Sequence, residues 1–107
     1  MATKVSAPLQ LTGAFQIVHT VDSHRWLTIG VVHLVNTSNA AVNIRLCYTP
    51  PSTAASTANA ELWDFALGAN TFLEFNEAVI LFPNWVIWVM ASTPNVVNIR
   101  VCGIEDV

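Results

Sequence analysis

RWLTIGVVHLVNTSNAAVNIRLCYT, residues 25–49, holds two apolar runs separated by a polar cluster at residues 36–41. Both runs alternate with the two-residue period of a β-strand. In the second, Val42, Ile44, Leu46 and Tyr48 share one face, and Asn43, Arg45 and Cys47 share the other. In the first, Leu27, Ile29, Val31, His33 and Val35 fall on one side and Trp26, Thr28, Gly30, Val32 and Leu34 on the other. Both sides are largely apolar, so this strand is expected at the centre of a sheet, covered above and below. The linking Asn, Thr and Ser residues bond their own backbone and tolerate left-handed conformations, which predicts a hairpin between the two runs.

The same grammar extends outward in both directions. Residues 11–20 read as a strand closed by a turn at 21–24. Residues 50–59, PPSTAASTAN, read as one exposed loop suited to touching a partner or moving. Residues 61–67 form a short strand with Trp63 and Phe65 on one side, and residues 68–70 turn the chain into a strand over 71–81. Pro83 and Asn84 punctuate the next boundary, before a strand over 85–92, and Pro94 and Asn95 the last. In residues 96–105, Val97, Ile99 and Val101 alternate with Asn98, Arg100 and Cys102. No window places apolar residues at three- and four-residue intervals behind a cap, so no helix is expected. The chain reads as all-β: an antiparallel β-sandwich, jelly-roll or immunoglobulin-like, of about seven to eight strands. Residues 1–9 read as an N-terminal arm and 10–107 as a single domain.

Composition constrains what such a domain does. Only 10% of the 107 residues are charged while 53% are hydrophobic, against a usual charged fraction of roughly 25%. A domain of this size buries only about two thirds of its chain's surface, so apolar material must lie outside. Something has to cover it. The net charge of −3 provides no basic field for phosphates, which excludes nucleic acid. A membrane span would have to come from the uncharged residues 78–99 or 27–44, but Pro83, Asn84, Pro94 and Asn95 break the first into strands and the polar turn Asn36-Thr37-Ser38-Asn39 breaks the second. The opening MATKVSAP is short and polar, unlike a secretory leader, so the chain is expected to stay where it is made.

Chemistry is sparse. His19, His24 and His33 titrate nearest neutrality, and an antiparallel pairing of the strands carrying His19 and His33 would bring those two together, but a metal needs three or four converging ligands. No nucleophile elbow, glycine-rich phosphate loop or calcium loop is present. Glu61 and Asp64 flank Trp63, yet three residues apart on a regular strand they point to opposite faces. No catalytic residue and no cofactor is therefore assigned. Cys47 and Cys102 read as free, buried or half-buried thiols, with a single disulfide as the alternative. Trp26, Trp63, Trp85 and Trp88 serve as core, as subunit contacts or as sugar-stacking platforms; Trp85 and Trp88, three apart, should face opposite ways.

The order of turns resembles that of small β-sandwich virion proteins of tailed bacteriophages. The resemblance runs through Trp26 to Val35 and its Asn36-Thr37-Ser38 turn, then Leu62-Trp63-Asp64 and Leu67-Gly68-Ala69-Asn70-Thr71. It continues in Val79-Ile80-Leu81, Val89-Met90-Ala91-Ser92 and the closing Gly103-Ile104-Glu105. The chain departs from the pattern at Val21-Asp22-Ser23-His24, where a proline-glycine turn is usual, and at Pro83-Asn84, where a glycine-aspartate pair is usual. The resemblance implies a non-enzymatic component of the virion, assembled in the host cytoplasm, and foremost a capsid decoration or cement protein. Its partners would be itself, as a homotrimer or dimer, and the major capsid or tail protein. A tail, neck or baseplate component is the near alternative, and a carbohydrate-binding host-attachment module the rival from another class. The interface candidates are Trp26, Trp63, Trp85, Trp88, Pro50, Pro51, Arg45 and Arg100.

Overall fold

A computed structural model describes residues 2–5 and 9–106, arranged as two antiparallel sheets packed face to face. The strands are β1 (Ala2–Val5), β2 (Leu9–Gln10), β3 (Gln16–Thr20), β4 (Trp26–Asn36), β5 (Val42–Thr49), β6 (Ala60–Leu67), β7 (Phe72–Leu81), β8 (Val86–Ala91) and β9 (Val97–Asp106). One sheet runs β1-β9-β4-β7, with β2 also on β9, and the other runs β3-β8-β5-β6. β1 pairs with Cys102 to Glu105 and β2 with Asn98 and Ile99, so these two segments are halves of one interrupted edge strand. Counted this way there are eight strand positions, four per sheet. Successive strands alternate between sheets except for the β5–β6 pair, which is the connectivity of a jelly roll.

The sheets bury what alternation predicts. Ile29, Val32, Leu34, Leu81, Ile99 and Val101 from one sheet meet Ile44, Leu46, Leu67, Ile87 and Val89 from the other, with Leu11 and Val21 closing the ends. Glu105 lies inside this layer, 2% exposed, where its carboxylate bonds His19 Nε2 on the opposite sheet at 2.5 Å.

Four expectations change. The polar cluster at 36–41 is a corner that carries the chain from one sheet to the other, because β4 and β5 do not pair. The turns after β7 and β8 are corners of the same kind. Residues 11–15 are not strand, although Leu11 is fully buried and its backbone N–H donates to Val97 O at 2.8 Å. Of the arm at residues 1–9, Ala2–Val5 and Leu9 pair with β9, and residues 1 and 6–8 lie outside the described residues.

The corner at Asn36 shows how sequence makes the switch. Asn36 is buried, and its amide N–H groups are shared among the carbonyls of Ala40, Leu67 and Gly68 at 2.9, 3.1 and 3.0 Å. Its Oδ1 accepts from the Ser38 backbone N–H and hydroxyl at 3.0 and 2.8 Å. Other corners use asparagine differently: Asn70, Asn84 and Asn95 take φ of 52°, 68° and 65°, in the left-handed region that asparagine tolerates best among residues with a side chain. Pro83 before Asn84, with Trp85 N–H donating to Phe82 O at 3.1 Å, has the form of a type II turn.

Candidate functional site

The register of β4 shifts between Ile29 and Val31 against both neighbours. That bulge reverses the alternation. Leu27, Ile29, Val32, Leu34 and Asn36 face the core, while Trp26, Thr28, Val31, His33 and Val35 face outward. The strand is central, as expected, but among the described residues no second layer lies over its outer side. The two faces assigned from period two hold only as far as Gly30.

On this outer face the register sets the neighbours of each β4 residue. Thr28 stands between Ile104 on β9 and Ile80 on β7; His33 stands between Arg100 and Glu74; Val35 stands between Asn98 and Phe72. Ile80 is 55%, Trp26 49%, Phe82 46% and Ile104 39% exposed, so one end of the face is a contiguous apolar surface. Trp26 meets Phe82 edge to face at 4.9 Å, and Phe82 meets Trp85 at 5.9 Å, an aromatic row running over the end of the sandwich. Toward the other end, Phe72 stacks on His33 at 5.7 Å and His33 Nδ1 lies 3.7 Å from Glu74. A cavity of about 190 Å³ opens there beside Val35, Asn98 and Arg100. Arg100 forms no ion pair among the described residues.

The outer face of the other sheet is built around Arg45. Its guanidinium lies 4.1 Å from the centre of the Trp63 ring and bonds Asp64 at 2.7 and 3.2 Å. Phe15 packs on Trp63 at 6.2 Å. A bulge makes this possible: β5 and β6 change register between Ile44 and Leu46, and Asp64 takes φ of 53°. Trp63 and Phe65 therefore do not share a side, and Glu61 and Asp64 do not point to opposite faces. The Arg45 guanidinium holds the Asp64 carboxyl below the usual carboxylate range, and Asp64 raises Arg45 in turn. Trp88 also faces outward, its indole N–H donating to Thr49 Oγ1 at 2.8 Å, while Trp85 packs against the core from the preceding turn. The two tryptophans diverge as their spacing implies.

Pro50 and Pro51 open a loop with bonds of its own and one from β5. Ser56 Oγ accepts from Ala58 N–H, Asn59 Oδ1 accepts from Ser56 N–H, and the Cys47 thiol donates to Ser56 O. Burial pushes the Cys47 thiol up. Cys47 sits on the outer side of one sheet and Cys102 on the outer side of the other, so both are free, separated by the full thickness of the sandwich. His19 and His33 are likewise on different sheets, one turned inward to Glu105 and one outward. No group of three or more His, Cys, Asp or Glu among the described residues could hold a metal ion.

The sequence candidates thus divide: Trp26 and Arg100 on one outer face, Arg45, Trp63 and Trp88 on the other, Trp85 at the end between them. Sequence reading missed Phe72, Ile80, Phe82 and Ile104. The signal for Ile80 lay in Val79 and Leu81, whose alternation points inward and leaves Ile80 outside.

No family model matches this chain, and no curated protein or solved structure was found that is similar to it.

Proposed function

We propose that this chain is a non-enzymatic structural component of a tailed-phage virion, a capsid decoration or cement protein that binds the shell as an oligomer. The observation that carries the reading is the apolar outer face built from Trp26, Ile80, Phe82 and Ile104 on a domain so poor in charge. Isolated exposed hydrophobics need no explanation, but a contiguous patch marks a contact surface. The virion context rests on the resemblance of the turn order to that of small phage virion proteins. A jelly roll suits the role because its strands are paired within two layers, leaving the broad faces for neighbours. The tail, neck or baseplate reading shares this chemistry and differs only in the partner. A carbohydrate-binding module is less favoured, since Arg45 and Phe15 occupy the surroundings of Trp63 and Thr49 engages the indole of Trp88.

The test uses the purified chain and the virion of the phage that encodes it. The protein should sediment with capsids stripped of small surface proteins and raise their resistance to heat. Binding to isolated tails and not to capsids would move it to the tail, and binding to neither would overturn the virion reading.

A further inference from the structure

We infer that the outer face of the β1-β9-β4-β7 sheet is a two-fold self-interface, on which a second copy of this chain lies face to face about an axis running along β4. The inference deepens the oligomer reading above and rests on it.

The argument comes from how the face is laid out about its central strand. A rotation of 180° about an axis along β4 exchanges the β9 side of one copy with the β7 side of the other and keeps each cross-strand row at its own level. In the apolar row, Ile104 and Ile80 flank Thr28. The rotation sets Ile104 of each copy over Ile80 of the other. In the polar row, Arg100 and Glu74 flank His33. The rotation sets Arg100, which has no ion pair among the described residues, over Glu74, whose only such contact is His33 Nδ1 at 3.7 Å. The face is thus complementary to itself in these two rows, as a two-fold interface requires, while the Val35 row sets Phe72 over Asn98.

The alternative in-plane axis, across the strands, fails the same check. It turns β4 end for end and sets Arg100 over the apolar end of β9, near Ile104. The charges then have no counterpart.

About this axis β9, β4 and β7 of the two copies overlap. Three strands about 4.8 Å apart and ten residues long at about 3.3 Å each give roughly 480 Å², so two copies bury roughly 950 Å², the size of a weak, concentration-dependent interface. Sheets packed face to face, a few tens of degrees off parallel, are an ordinary arrangement.

The experiment is light scattering behind size exclusion, with analytical ultracentrifugation for affinity, on wild type and four variants. Wild type should have the mass of two chains. Ile80→Glu, at an exposed position, should weaken the dimer about 100-fold with an unchanged circular dichroism spectrum. Arg100→Glu and Glu74→Arg should each weaken it about 10-fold or more by opposing like charges, and the double variant R100E/E74R should return it to within about threefold of wild type. As a readout independent of mass, Cys102, which lies outward between Arg100 and Ile104, should react more slowly with a thiol reagent as protein concentration rises.

An oligomer that persists unchanged in I80E overturns this face while leaving the oligomer reading intact. A mass of three chains, or a double reversal that fails to restore what the single reversals lose, overturns the two-fold pairing. A wild-type monomer at about 100 μM overturns both this interface and self-association. Capsid sedimentation then stands as the separate test of the virion reading.

Discussion

Asn36 holds more of the fold together than any other polar residue described. Its side chain satisfies three carbonyls and two donors at the point where the chain leaves one sheet for the other. Replacing it with alanine removes the side-chain donor from the buried Leu67 O and the acceptor from the Ser38 N–H, while Ala40 O and Gly68 O keep the Ser38 and Thr71 hydroxyls; the cost should be about 2 kcal/mol, which urea denaturation should show as a lower midpoint at unchanged slope. Asn36→Asp should not rescue, since a carboxylate cannot donate. The Arg45–Asp64 pair makes a smaller and pH-dependent contribution. Because Asp64 is held below its unfolded value, the pair stabilises the fold above about pH 4 and loses that effect as pH falls through the folded value. Wild type should therefore melt slightly above Asp64→Asn at pH 7 and low salt, with the gap between the two melting curves narrowing as pH falls below about 4. These roles were only partly legible: a turn asparagine was clear at position 36, but its bonds to Leu67 and Gly68 reach residues far along the chain.

At the scale of elements, β4 and β9 carry the decisive detail. Gly103 faces inward and a Cβ there would stand 2.6 Å from Thr28 O and 3.0 Å from Leu27 Cδ1, next to the β4 bulge. Gly103→Ala must push β4 and β9 apart and should cost about 2 kcal/mol or more in the same denaturation experiment. Gly30, the bulged residue itself, has its nearest such contact at 3.5 Å and should accept alanine far better. Comparing the two variants separates steric fit from glycine content. Period-two reading identified the strand centres of β5, β8 and β9, and the inward residues of β5 and β9, because those strands are regular on the core side. It failed in β4 beyond Gly30 and in β6 at Asp64, since a bulge adds one residue without altering the apolar composition that pattern reading relies on. It also read corners as hairpins, because the same Asn, Pro and Ser residues serve both.

For the whole molecule, composition and structure point the same way. Scarce charge implied that something covers part of the surface, and the apolar outer face formed by β4, β7 and β9 is where such cover would lie. That face was not legible as a unit. Its residues come from three strands dispersed along the chain, and their meeting depends on sheet order, which alternation alone does not specify. The sandwich was legible, since short apolar runs and polar turns without helical periodicity leave few other architectures.

The position of β9 bears on how such a protein is made. It sits between β1 and β4, so the first, fourth and seventh strands cannot complete their sheet until the last strand is present. Almost every pairing joins distant parts of the chain, and the entropy of closing such long loops must be met before the contacts reward it. Refolding from urea should accordingly take milliseconds to seconds rather than microseconds, as stopped-flow tryptophan fluorescence would record, and a chain ending before residue 97 should not fold. On the ribosome, the growing chain would carry the exposed edges of β1 and β4 until β9 emerges. For that interval two unclosed strand edges are open to pairing with a neighbour's.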